Sequence, residues 1–296
     1  MKRILVVGRS GQVAGALAES DWPAGLQIVC RGRSEIDLAR TSQVRDAIVQ
    51  EKPDLVINAA AYTAVDKAES EPDLALAVNR DGPAALAEAC ARLAIPLIHL
   101  STDYVFDGHK PGAYIEDDAI NPLSAYGTSK AEGEAAIRDR LGAHLILRCS
   151  WIYAPTGQNF VRTMLQLGRE RSEIRLVTDQ VGSPTAAEEV ARAVVGSATR
   201  ILQGGLDFGT FHFCGVGSTS WFGFAEAIFA LAPWQGSPPR LIPIPSSEYP
   251  TPARRPSNSV LNCQKFAGLY GIRARPWRES LARCLNEIAA QEATAA

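Results

Sequence analysis

Five short apolar runs alternate with helical stretches through the first 150 residues, and that alternation leaves few folds open. The runs are Arg3–Val7, Leu26–Cys30, Leu55–Asn58, Pro96–Leu100 and Leu145–Cys149. Between them, Gln12–Glu19, a stretch capped by Thr41 or Ser42 and running to about Lys52, Pro72–Leu93 and Ser124–Leu141 carry helical patterns. In the second of these, Val44, Ile48 and Val49 share one face. Apolar strands separated by helices predict a parallel sheet covered on both faces. Right-handed crossovers then give a doubly wound α/β fold.

The chemistry of such a sheet gathers at the carboxyl ends of its strands. The first strand ends in Gly8-Arg9-Ser10-Gly11-Gln12-Val13-Ala14, a GxxGxxA turn that opens the first helix. Glycines at Gly8 and Gly11 let backbone N–H groups approach a pyrophosphate, and the helix start favours negative charge. The fold predicted is therefore of the Rossmann, dinucleotide-binding kind. At the end of the second strand, NAD enzymes usually carry an acid for the ribose hydroxyls, about 20 residues after the glycines. This chain has Cys30-Arg31-Gly32-Arg33 instead. A guanidinium grips a 2′-phosphate that an acid would repel, so NADPH is expected, with Arg31 as the contact and NADH possible. After the third strand, Asn58-Ala59-Ala60-Ala61-Tyr62-Thr63 supplies small residues that leave room for a cofactor.

Tyr126 and Lys130 stand four residues apart on a predicted helix, which puts them on one face. A free tyrosine has a pKa of about 10, and an adjacent ammonium would lower it. Thr102 lies just beyond the fourth strand, 24 residues before Tyr126, and its hydroxyl can meet the same substrate oxygen. Strand-end hydroxyl, tyrosine and lysine on a nucleotide-binding fold form a combined acid–base set.

Beyond Cys149 the alternation becomes irregular. Helical patterns cover Phe160–Arg169, Glu188–Leu202 and Trp277–Ala290, strand-like ones Ile174–Val177 and Phe211–Cys214. Eight prolines fall between Pro233 and Pro256, which predicts ordered loop there. Residues 291–296 are expected to fray. The expected division is a nucleotide-binding domain over 1–150, completed by parts of 170–235, with a smaller α/β C-terminal substrate region over 151–296.

Thirty basic residues against thirty-two acidic ones leave a net charge of −2, which argues against a nucleic-acid partner. No segment approaches the ~18 uninterrupted apolar residues of a membrane span, and the opening apolar run is too short for a signal peptide. No membrane association and a cytoplasmic location are expected. Six cysteines without a CxxC pair read as free thiols, with Cys30 and Cys149 buried in strands; His99 and His144 read as structural.

The motifs together resemble the extended short-chain dehydrogenase/reductase superfamily, and within it the dTDP-4-dehydrorhamnose reductase family. The resemblance rests on Gly8–Val13, Asn58–Pro72, Ser101–Phe106, Tyr126–Lys130, Ser150–Tyr153, Gly182–Thr185 and Tyr249–Pro256. It implies reduction of the 4-keto group of dTDP-6-deoxy-L-lyxo-4-hexulose to dTDP-L-rhamnose. It implies Tyr126 as proton donor, Lys130 as its partner and Thr102 as a tuning hydrogen-bond donor. Thr102, Asp103 and Trp151 would face the sugar nucleotide, with Val65 nearby. Gly11, Gln12, Val13, Asp37, Leu38, Ala61, Tyr62, Thr63 and Leu100 would contact the cofactor. Arg254 and Arg255, in the proline-bounded loop, would meet the substrate diphosphate. Some family members dimerise through a magnesium site of three glutamates. Glu188 and Glu287 fall at two of those positions, but Ala16 stands at the first. Loss of that carboxylate predicts no metal site and a monomer or weak homodimer. Two other roles use the same fold: a sugar-nucleotide epimerase or dehydratase, which Arg31 disfavours, and a non-catalytic NADP-binding subunit of methionine adenosyltransferase, which an intact Thr102, Tyr126 and Lys130 disfavours.

Overall fold

The computed structural model describes residues 1–233 and 237–295. Its centre is a six-stranded parallel sheet. The strands β1 (Lys2–Val7), β2 (Leu26–Arg31), β3 (Leu55–Asn58), β4 (Leu97–Thr102) and β5 (His144–Cys149) come from the first half. The sixth, Gly209–His212, comes from the second half and pairs beside β5. The spatial order is Gly209–His212, β5, β4, β3, β1, β2. Chain order reverses between β1 and β3, the crevice where open α/β sheets bind ligands. Register brings Val7 level with Arg31 and Asn58, and Thr102 level with Cys149, so the strand ends form one edge.

Both faces are covered. On one, helix α1 (Gln12–Glu19) and the helix Ala187–Leu202 pack on Ile4, Val6, Leu145 and Leu147. On the other, helix α2 (Thr41–Glu51) and the helices Gly82–Leu93 and Ala125–Arg140 cover Leu5, Val7, Val56 and Ile146. A separate apolar cluster joins the helices Phe160–Glu170, Trp221–Leu231 and Trp277–Ala295 through residues such as Leu165, Phe224 and Leu285. No helix among the described residues is long and apolar enough to cross a membrane.

Several boundaries differ from the sequence expectation for identifiable reasons. Pro72–Leu93 is not one α-helix: a π-turn, Ala77–Asp81, separates Pro72–Leu76 from Gly82–Leu93. The chain is closely approached on both sides of it. A Cβ on Gly82 would stand 2.7 Å from Leu38, and one on Gly133 only 2.0 Å from the Asn79 carbonyl. Arg40, not Thr41 or Ser42, stands at the N-cap position of α2 with no side-chain cap bond, and Val49 is exposed instead of joining Val44 and Ile48 inside.

The helix Trp221–Leu231 escapes periodicity because Trp221-Phe-Gly-Phe-Ala-Glu-Ala-Ile-Phe-Ala-Leu231 has almost no polar face. The proline-rich stretch is not all loop. Arg240–Ile244 is a strand paired only with Glu173–Val177, so Pro243 removes no central ladder bond. Residues 234–236 of that stretch lie outside the described residues. The terminal helix runs on to Ala295, where Arg169 Nη2 holds Glu292 at 2.7 Å, and Ala296 lies outside the description.

Candidate active site

A cleft of about 800 Å³ opens along the carboxyl edge of the sheet. Gly8 has φ +126°, and a Cβ there would meet Ala14 Cβ and the Ala59 backbone at 3.3 Å. Only glycine fits that turn without strain. Gly11 caps α1 without a side-chain bond, so the first N–H groups of the helix face the cleft unsatisfied by a cap. Gln12 Oε1, also in the cleft wall, is buried without a hydrogen-bond partner. A backbone cradle and an orphaned amide oxygen both suit a dinucleotide phosphate and its ribose hydroxyls.

The cleft collects nearly every residue expected from the sequence. Gly8, Gly11, Gln12, Val13, Asp37, Leu38, Ala61, Tyr62, Thr63 and Leu100 line it, with Val65, Thr102, Asp103, Tyr126, Lys130 and Trp151. Three expected residues do not. Arg31 turns its Nε to Glu51 Oε1 at 2.6 Å, below the sheet edge. Arg33 and Arg9 line the cleft in its place; Arg33 is largely exposed, its Nε a loose 3.6 Å from Asp37, while Arg9 meets Glu35 at 2.6 Å. Arg255 is held by Asp66 at 2.8 Å, while Arg254 points to solvent. Proximity in sequence to a strand end did not reveal that acidic neighbours already claim Arg31 and Arg255.

Ser124 caps the helix Ala125–Arg140, accepting from the Gly127 N–H at 3.1 Å. Tyr126 therefore sits in the first turn and Lys130 one turn on. A Cβ on Gly127 would fall 2.3 Å from the Tyr104 carbonyl, so glycine lets this helix press against the turn after β4. That turn positions Thr102, whose hydroxyl accepts from the Tyr104 N–H at 3.2 Å and donates to Asp103 Oδ1 at 3.1 Å. The same hydroxyl lies near enough to the Tyr126 phenol to draw its pKa down. Burial pushes Asp103 up to about 6 against the bonds from Ser259, Ser150 and Thr102.

The electrostatics correct one expectation. Burial pushes the Tyr126 phenol up to about 12, Thr102 works against the shift, and Asp103 and Cys149 add to it. Tyr126 is thus a fully protonated phenol at neutral pH and is not made acidic. Lys130 turns away from it, donating to the Leu100 carbonyl at 2.7 Å and meeting His99 Nε2 at 3.3 Å. Burial brings the Lys130 ammonium down to about 8, with Glu134 and Cys149 opposing.

At the other end of the cleft Trp151 stacks on Trp221, with ring centroids 3.5 Å apart and planes 3° from parallel. Trp151 has φ +45°, a left-handed conformation unusual for a bulky residue. Gly182 makes room for it, since a Cβ there would stand 2.4 Å from the indole. Trp221 was missed from sequence, and the only available signal was its aromatic neighbourhood.

Behind the site lies a buried ion pair. Arg148 Nη2 meets Glu134 Oε2 at 2.7 Å, and Ser101 Oγ donates to Glu134 Oε1 at 2.6 Å. Burial would raise Glu134, but Arg148, Ser101 and Arg138 hold it below the usual carboxylate range.

Away from the cleft, Glu188 pairs with Arg283 at 3.1 Å, and Glu287 is raised by burial and by Glu19 and Glu188. Ala16 packs against the core. Among the described residues no group of three or more His, Cys, Asp or Glu is placed to hold a metal. The six cysteines are free; Cys30 is only half-buried, and Cys214 Sγ lies 3.4 Å from Cys263 Sγ.

Comparison with known proteins places this geometry. The family described as RmlD substrate binding domain matches residues 1–290. The dTDP-4-dehydrorhamnose reductase of Sinorhizobium fredii (strain NBRC 101917 / NGR234) is 48% identical over 284 residues, 95% of this chain and 96% of its own length. Among solved structures, the dTDP-4-dehydrorhamnose reductase of Clostridium acetobutylicum ATCC 824 superposes with a TM-score of 0.90 at 35% identity, covering 97% of this chain and 99% of that one. The enzyme of the same name from Bacillus anthracis str. Ames, solved in complex with NADP, gives 0.89 at 35% identity over 97% of this chain and 100% of its own.

Proposed function

Because the chain belongs to the RmlD substrate binding domain family, we propose that it uses NADPH to reduce the 4-keto group of dTDP-6-deoxy-L-lyxo-4-hexulose to dTDP-L-rhamnose. The observation that carries this reading is the meeting of Thr102, Tyr126 and Lys130 with the Gly8–Gly11 turn in one cleft. Bound NADPH supplies the hydride. The turn and the start of α1 hold the pyrophosphate, and Gln12 offers its amide oxygen to a ribose hydroxyl. Tyr126 donates a hydrogen bond to the carbonyl oxygen as it gains negative charge, and Thr102 adds a second by turning its single hydroxyl proton there from Asp103 Oδ1. Tyr126 holds its proton firmly at neutral pH and releases it to that alkoxide, a much stronger base than the starting ketone. Trp151 and Trp221 form an aromatic wall for the sugar nucleotide, Asp103 and Val65 flank it, and Arg33 meets the 2′-phosphate.

The direct test is NADPH oxidation followed at 340 nm with the ketosugar made in situ, and identification of the product by NMR. Loss of NADPH that does not depend on ketosugar would overturn the assignment.

Two variants examine the binding roles. Arg33→Ala removes the exposed cleft guanidinium, and a lost charge-assisted contact is worth about 1.5–3 kcal/mol. Its kcat/KM with NADPH should fall roughly 10- to 100-fold while the NADH value stays near wild type. Arg31→Ala should leave the NADPH/NADH ratio unchanged, since its guanidinium serves Glu51. Gly182→Ala drives a methyl into the Trp151 ring, which cannot retreat because Trp221 stacks on it. The KM for the sugar nucleotide should rise several-fold with NADPH affinity unaltered by fluorescence titration. An unchanged KM would remove Trp151 from the substrate wall.

A further inference from the structure

Asn58, His99 and Lys130 form a buried polar chain across β3, β4 and the catalytic helix, and all three are at most 2% exposed. Its hydrogen-bond directions are dictated at one end. The Ala60 N–H, which can only donate, meets Asn58 Oδ1 at 3.2 Å. That leaves the Asn58 amide NH₂ facing His99 Nδ1 at 3.0 Å, so Nδ1 must accept. A neutral imidazole that accepts at Nδ1 carries its proton on Nε2. Nε2 faces Lys130 Nζ at 3.3 Å. An ammonium has no lone pair and cannot accept that N–H, whereas a neutral amine can, and either form can donate to the Leu100 carbonyl at 2.7 Å.

We propose that Asn58 locks His99 in the Nε2–H tautomer, and that this N–H, aimed at Lys130, favours the unprotonated amine. His99 and Asn58 are thus positioning residues for the proposed reduction. They leave Lys130 able to surrender a proton near neutral pH, since the resulting amine finds a hydrogen-bond donor already in place. The other groups facing Lys130 do not reproduce this preference. Glu134, one turn along the helix, favours the ammonium, and so does Cys149 on β5. Glu134 is itself engaged by Arg148, Arg138 and Ser101. His99 is faced by Lys130, with His144 at longer range, and both keep it neutral together with its burial.

The role in turnover rests on the reductase reading, but the test does not. The chain contains four histidines and six lysines, few enough for selective labelling. In the full-length protein without substrate or cofactor, ¹⁵N shifts of labelled histidine should show His99 protonated at Nε2 and not titrating between pH 5 and 10. The ¹³Cε signal of Lys130 should titrate near 8, against about 10.4 for a free lysine. In Asn58→Asp the carboxylate accepts from Nδ1, the His99 proton moves to that nitrogen, and Nε2 offers its lone pair to the ammonium. The Lys130 midpoint should then rise by at least about one pH unit, and any alkaline limb of kcat governed by Lys130 should move with it. A wild-type His99 protonated at Nδ1, or a wild-type Lys130 titrating near 10.4, overturns the proposal even if the variant does not fold. An Asn58→Asp protein whose His99 tautomer and Lys130 midpoint stay put overturns it as well. Failure of ketosugar reduction with these spectra intact would count against the reductase reading alone.

Discussion

Tyr126→Phe should lower kcat by roughly 10²–10⁴ while leaving the fold and cofactor affinity intact, the usual weight of a general acid. The reasoning lies in the surroundings of the phenol. Tyr126 is held by the cap at Ser124 and by an edge-on contact with Tyr104 at 6.0 Å, and phenylalanine keeps both. What disappears is the one proton positioned beside the Thr102 hydroxyl. Burial, by raising the phenol to about 12, keeps that proton in place throughout the neutral range. Thr102→Val should cost less, because Tyr126 would still deliver the proton without the second donor. Stopped-flow measurement of a single turnover checks the chemical step directly. A Tyr126→Phe enzyme turning over at the wild-type rate would remove Tyr126 from the acid role.

Arg148→Met should destabilise the protein by roughly 3 kcal/mol, the lower end for breaking a buried pair, measured by urea unfolding, because the enclosed Glu134 carboxylate then keeps only Ser101 and the part-exposed Arg138. The pair is fully enclosed, with side chains 2% and 0% exposed. Replacing both partners, as Glu134→Leu with Arg148→Met, should recover much of the loss, since apolar groups of similar volume need no counter-charge. Equal losses in the single and double variants would mean that the Arg148 packing against Phe106 matters more than its charge. The network also reaches the site. Ser101, which donates to Glu134, immediately precedes Thr102, so slackening there should show as reduced kcat in Arg148→Met below its unfolding range.

Much of the site was legible in the chain because its parts are local. A strand that ends in Gly8, a helix that starts at Gln12, and a tyrosine one turn before a lysine depend on neighbours within a few residues. The strand ends could be located, so the residues just beyond them could be assigned to one edge, and Gly8, Thr102 and Trp151 do line one cleft. Sequence expectation and observed contacts part where a side chain has a choice of partners. Arg31 and Arg255 are cations near strand ends or in ordered loops, yet Glu51 and Asp66, 20 and 189 residues away, capture them. His99 read as structural because a lone histidine in a strand carries no signal of the Asn58 and Lys130 that flank it. Trp221 lies on a helix whose only charged residue is Glu226, where periodicity has little to register.

The sequence by itself determined the alternation of elements, the glycine turn and the tyrosine–lysine spacing, since each is written in short-range sterics and helical period. Only the tertiary structure decided which charges are already neutralised and which protons are held. Those depend on burial and on contacts between residues far apart along the chain, and desolvation acts on a group according to everything packed around it.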